Sequence, residues 1–117
     1  MKGRLTVMLK SSKIRNELEF FELLFPRAKQ HANIAYELFK LAKNGRLFKN
    51  SYLNVPKELN IRVPTYYSVL SKLRSLGVLK KVEDKIVPSK TFLYNLKELY
   101  DYYRSLLESE VIIDEEE

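Results

Sequence analysis

Between Lys40 and Val82 the chain carries ten basic residues: Lys40, Lys43, Arg46, Lys49, Lys57, Arg62, Lys72, Arg74, Lys80 and Lys81. The same stretch holds one acid, Glu58. A merely solvated face is mixed in sign; this one is not. Over the whole 117 residues, 21 Lys and Arg face 15 Asp and Glu, a net charge of +6. Six of those acids (Glu108, Glu110, Asp114, Glu115, Glu116, Glu117) fall in the last ten residues, so residues 1–107 carry 21 − 9 = +12. A body this positive calls for a polyanionic partner, because cations set beside phosphates release condensed counterions.

The residue types that carry covalent or metal chemistry are sparse. Cysteine is absent, which excludes disulfides and thiolate sites and suits a reducing cytoplasm. The one histidine, His31, lies between Arg27, Lys29 and a helical stripe and reads as a surface or interface side chain. Three glycines, at 3, 45 and 77, do not build a phosphate-cradling loop. The carboxylate pairs Glu17/Glu19, Glu83/Asp84 and Glu98/Asp101 lack a ligand set around them. Eight tyrosines are present without the Arg and His cluster a tyrosine nucleophile needs. No enzyme, cofactor or metal site is expected. No apolar run reaches the ~18 residues of a membrane helix, and the first residues lack the apolar region of a signal peptide.

The spacing of apolar residues sets out the elements. Leu5 to Leu9 alternates as a short strand or forms an N-terminal arm. Residues 14–25 read as a helix ended by Pro26, and residues 27–44 as a second ended by Gly45. A short helix follows around Pro56 to Asn60, with Asn54 as its N-cap. Ile61 to Val63 is a turn, and Pro64 opens a helix whose buried stripe is Tyr66, Val69, Leu70, Leu73 and Leu76, ending at Gly77. Val78 to Val82 and Lys85 to Val87 read as a hairpin with Glu83 and Asp84 at its tip. Residues 89–108 return to helix.

The stretch LNVPKELNIRVPTYYSVLSKLRSLGVLKKVEDKIVP, residues 53–88, resembles the winged helix-turn-helix superfamily. The join of KELNI through RVP to TYYSVLSKL, and the exit LRSLGVLKK into the first strand, carry the resemblance. With the preceding helix it covers residues 28–88. It implies an α+β, mostly α domain over residues 1–108, with a short two-stranded wing and added N- and C-terminal helices. The long helix after the hairpin is similar to that of PadR- and MarR-like regulators, which pair through a terminal helix. The Lys-, Ile-, Leu- and Tyr-rich usage suits an archaeal or thermophilic source. Winged helices also serve as protein-interaction modules, so a protein partner in a replication, partition or transcription complex stands as the alternative, with RNA as a further one.

In such folds the second helix of the motif enters the major groove. The expected contacts are Thr65, Tyr67, Ser68, Ser71 and Lys72 on its outer face, with Arg62 preceding it. Tyr67 has an alternative role, packing against the helix of residues 55–60. Lys57, Lys49 and Arg46 are expected phosphate clamps, and Lys72 is preferred to Arg74, which is taken to face the far side. Alternation puts Lys80 and Lys81 on opposite faces, so at most one of them points directly at DNA; Lys81 is taken as that contact, together with Lys85 on the backbone.

The terminal helix is apolar over more than one stripe, and so is the first helix. Phe21, Phe25, Phe92, Leu96, Leu99, Tyr103 and Leu106 are therefore expected to form a homodimer interface; the alternative is packing of the two helices within one monomer. The tail of residues 109–117 reads as a solvated acidic segment, or one that folds over the basic surface, and Val111, Ile112 and Ile113 give it an apolar patch that could dock.

Overall fold

A computed structural model describes residues 16–109. The expected strand at Leu5 to Leu9, Ile14, and the acidic tail from Glu110 lie outside those residues. Five α-helices, a 3-10 turn and one hairpin follow in order: α1 (Glu17–Leu24), α2 (Lys29–Lys43), the turn Ser51–Leu53, α3 (Val55–Leu59), α4 (Val63–Ser75), β1 (Leu79–Val82), β2 (Lys85–Pro88) and α5 (Thr91–Glu108). The fold is α+β and mostly α.

Local chemistry sets each boundary. Helix α1 begins later than its periodicity suggests because Asn16 caps it, its Oδ1 accepting the Glu19 N–H at 2.9 Å. Helix α3 stops at Asn60, whose backbone is left-handed at φ 57°, a conformation Asn tolerates better than most residues. Asn54 occupies the position before α3, but its side chain makes no capping bond. Ser89, just before α5, accepts the Thr91 N–H at 3.0 Å.

The hairpin pairs Leu79 with Pro88 through Val82 with Lys85, and Glu83 turns the tip at φ 57°. The segment after α2 extends this sheet, which the sequence reading treats as plain connection. Phe48 bridges Lys85, the Ile86 N–H donates to the Leu47 carbonyl at 2.9 Å, and the Lys49 N–H donates to the Asp84 carbonyl at 2.9 Å.

The core lies where α1, α2, α4 and the hairpin meet. Leu24, Leu38, Leu47, Tyr66, Val69, Leu73 and Leu79 fill its centre. Phe21 and Phe25, expected between subunits, are instead 3% and 4% exposed within one chain. The turn at Pro26 folds α1 onto α2, and the Phe21 ring meets Tyr36 at 5.9 Å and Phe39 at 5.6 Å. Burial inside the monomer thus absorbs the apolar excess of α1 that the dimer expectation had assigned to a partner.

Helix α5 behaves differently. None of its residues is buried. Its first turn is held by the Phe92 N–H donating to the Gly77 carbonyl at 3.0 Å and by Asn95 Nδ2 donating to the Leu76 carbonyl at 3.2 Å. Gly77 sits at φ 87°, and a Cβ there would stand 2.9 Å from the Phe92 nitrogen, so only glycine allows this approach. Phe92 packs edge-on against Phe20 at 6.0 Å. From Lys97 onward every described residue of α5 is exposed, and the molecule measures 55 × 28 × 24 Å. Among the described residues no helix is long and apolar enough to cross a membrane, and no group of His, Cys, Asp or Glu is placed to hold a metal ion.

Candidate nucleic-acid interface

Helix α4 is set by its own buried stripe. Tyr66, Val69, Leu70 and Leu73 face the core, which turns Tyr67, Ser68, Ser71 and Arg74 to solvent. Pro64 lies in the first turn, where its missing N–H is harmless and its fixed φ already suits a helix. Arg62 precedes that turn, exposed and extended at φ −86°, ψ 154°.

A cleft of ≈ 780 Å³ opens between α4 and β1. Leu70 and Leu79 form its apolar floor; Tyr67, Ser71, Arg74, Lys80 and Lys81 form its polar walls. Arg74, Lys80 and Lys81 have no ion-pair partner among the described residues. Three uncompensated cations over an apolar floor, with a hydroxyl beside them, suit an anion that needs both charge and hydrogen-bond donors.

Two expectations are corrected here. Lys72 does not share the outward stripe: its Nζ lies 4.3 Å from the centre of the Phe25 ring, and the residue is half-buried. Tyr67, Ser71 and Arg74 stand at i, i+4 and i+7, so they form the outward line, while Lys72 is turned about 100° away, on the side of half-buried Thr65. Arg74, expected to face the far side, occupies the cleft. Lys80 and Lys81 both line the cleft. They sit on a short edge strand whose residues beyond Leu79 are all exposed, so long side chains from either face reach round it.

The remaining candidates are dispersed. Lys57, on α3, and Arg62 are exposed. Arg46 is exposed ahead of the Leu47 and Phe48 strand segment. Lys49 Nζ lies 3.7 Å from the Asp84 carboxylate, which ties it to the hairpin tip. Lys85 Nζ lies 5.9 Å over the Phe48 ring and is not part of the cleft wall.

The Tyr67 ring lies 5.9 Å from that of Tyr52, in the 3-10 turn, at 33°, and 5.4 Å from Tyr66. Tyr52 and Tyr67 remain 38% and 45% exposed, an aromatic pair at the N-terminal half of α4. Tyr52 was missed because nothing in its local spacing marks it; Arg74 was recoverable by counting i+7 from Tyr67. Beneath them Tyr66 is buried at 1% exposure, and its hydroxyl has no hydrogen-bond partner among the described residues. Burial, and the neighbouring Tyr67, push its pKa up to about 12.

Compared with protein-family models, with curated proteins and with solved structures, the chain matches none.

Proposed function

We propose that the chain is a winged helix-turn-helix protein that binds double-stranded DNA as a homodimer and regulates transcription. In this reading α3 and α4 are the helix pair, α4 enters the major groove, and the β1–β2 hairpin is the wing. The observation that carries it is the convergence of Arg74, Lys80 and Lys81, unpaired among the described residues, on one cleft beside the exposed face of α4. Arg62, Lys57 and the tilted ring pair Tyr52 and Tyr67 extend that face toward the start of α4. The wing tip, Glu83 and Asp84, is short and acidic, which disfavours insertion in the minor groove and leaves backbone contact to Lys85.

The open face of α5 supports pairing. Leu93, Leu99, Tyr100, Tyr103, Leu106 and Leu107 are 36–62% exposed. Together they offer roughly 600 Å² per copy, at about 100 Å² each. Two copies then bury about 1,200 Å², the lower edge of stable interfaces.

Salt titration of duplex DNA binding tests the reading. Three phosphate contacts per subunit give a slope near −2.7 in log K against log salt, so raising salt from 50 to 200 mM lowers affinity by about fortyfold per subunit. A protein-docking role is the second reading, favoured by the exposed apolar side chains of Phe48, Tyr52 and Leu53. It gives no salt-dependent DNA affinity. Selection of bound fragments from random duplexes then identifies any sequence that is read.

A further inference from the structure

A second cleft, of ≈ 220 Å³, lies between α1 and α2. Its walls are Phe20, Phe21, Tyr36 and Phe39, and Lys40 and Lys43 stand at its rim with Glu17. The Glu17 carboxylate already accepts the Tyr36 hydroxyl at 2.8 Å, and Lys40 pairs with Glu37 at 3.2 Å. Lys43 has no ion-pair partner among the described residues. The site is therefore apolar within, and Lys43 is the cation at its edge that no acid among the described residues pairs. The chain holds a segment of the matching kind: Val111, Ile112 and Ile113, followed at once by Asp114, Glu115, Glu116 and Glu117. The basic segment before α1, with Lys2, Arg4, Lys10, Lys13 and Arg15, has the wrong sign for that rim.

Reach decides whose tail it is. From Phe92 to Ser109 helix α5 runs about 25 Å, and α5 contributes no wall to the cleft. Ile113 is four residues beyond Ser109 and extends at most about 14 Å from it. The segment cannot fold back along its own helix to Phe20. A second copy solves the distance if the two α5 helices run antiparallel. An opening of ≈ 390 Å³ lies along the first half of α5, between Leu76, Phe92, Leu96 and Leu99, and offers room for the second copy's Tyr103, Leu106 and Leu107. In that arrangement Ser109 of one copy ends beside Phe92 of the other, and Phe92 touches Phe20, a wall of the cleft.

We infer that the segment Val111–Glu117 of each copy docks in the α1–α2 cleft of the other, its apolar triplet on Phe20 and Phe39 and its acids at Lys43. The inference rests on the α5-mediated dimer of the proposed function. It also supplies area that α5 alone provides only at the lower limit.

The absence of cysteine makes the test clean. Two single-cysteine chains, Ile112→Cys and Lys43→Cys, are mixed and treated with a short bismaleimide. A covalent heterodimer is expected at least roughly tenfold faster than with the pair Ile112→Cys and Lys57→Cys, because docking raises effective concentration. Equal rates overturn the inference, as does cross-linking within one chain of an Ile112→Cys/Lys43→Cys double variant. In a second measurement, Ile112→Asp/Ile113→Asp in the full chain is expected to raise the dimer dissociation constant by at least about tenfold; an unchanged constant refutes tail docking. Sedimentation separates the two failures. A dimeric protein without preferential cross-linking loses only the tail contact, whereas a monomer at micromolar concentration removes the α5 dimer and the tail contact with it.

Discussion

Replacing Arg74 and Lys72 by Ala, one at a time, distinguishes the cleft from the rest of the positive surface. Both residues lie on α4, two positions apart, and charge counting treats them alike. The geometry does not. Arg74 lines the α4–β1 cleft, while Lys72 Nζ sits 4.3 Å over the Phe25 ring on another side of the helix. Loss of one phosphate contact lowers the salt slope by about 0.9, which amounts to about a fivefold loss of affinity at 0.15 M salt and fades toward 1 M. Arg74→Ala is therefore expected to weaken binding to a random duplex by about fivefold and to flatten the slope by nearly one. Lys72→Ala is expected to leave the slope unchanged and to lower stability by about 0.5–1 kcal/mol through its lost contact with Phe25. Fluorescence anisotropy from 50 to 400 mM salt reads the first effect, and urea denaturation the second. If Lys72→Ala flattens the slope and Arg74→Ala does not, the assignment of the cleft as the phosphate-binding surface is wrong.

Charging the open face of α5 with Leu99→Glu and Tyr103→Glu is expected to yield monomers by sedimentation that keep their helical circular-dichroism signal, since Leu99 and Tyr103 lie outside the monomer's core. Gly77→Ala places a Cβ against the Phe92 backbone at positive φ and should destabilise the fold by about 2–3 kcal/mol, read by denaturant titration. Tyr66→Phe removes a buried hydroxyl without a partner among the described residues and should be neutral or stabilising by about 1 kcal/mol at pH 7. The Tyr66 pKa is raised, so the unfolded chain releases that proton first and stability falls as pH rises from the usual value of 10.0 toward about 12. That part of the alkaline loss, about 2–3 kcal/mol, should disappear in Tyr66→Phe.

The helices were readable from the sequence because their stripes are long and their punctuation is local: Pro26, Gly45, Pro64 and Gly77 each fall at or beside a boundary. The failures share a different cause. The stripe Tyr66, Leu70 and Leu73 identifies the buried side of α4, but not which neighbour borders each flank. Phe25 borders the flank that holds Lys72, and its approach depends on how α1 folds back at Pro26. The bridge from Phe48 to Lys85 is likewise invisible locally, because its partners are 37 positions apart in sequence and the segment Arg46 to Asn50 has no alternation to mark it. Apolar excess shows that α1 must bury a face; only the packing of Phe21 on Tyr36 and Phe39 shows that the face is spent inside one chain.

Charge is sorted along this molecule by region, and the sorting separates two kinds of association. On α5 the ion pairs Lys97–Asp101 and Arg104–Glu108 close within the helix at 3.0 and 3.1 Å, one turn apart. Counting in sevens from Phe92 places these four charges on one side and Leu96, Leu99, Tyr103 and Leu106 on the other. Among the described residues Glu98 is the one charge beside that second side, so contacts made there depend chiefly on apolar area and respond weakly to salt. At the α4–β1 cleft the opposite holds: Arg74, Lys80 and Lys81 have no internal acid among the described residues, and any partner they hold is held chiefly by charge. Salt therefore acts more strongly on the cleft than on the α5 face. In the proposed function this division lets DNA be released while the dimer stays assembled, and the anchoring of α5 at Gly77 keeps the two surfaces from sharing side chains.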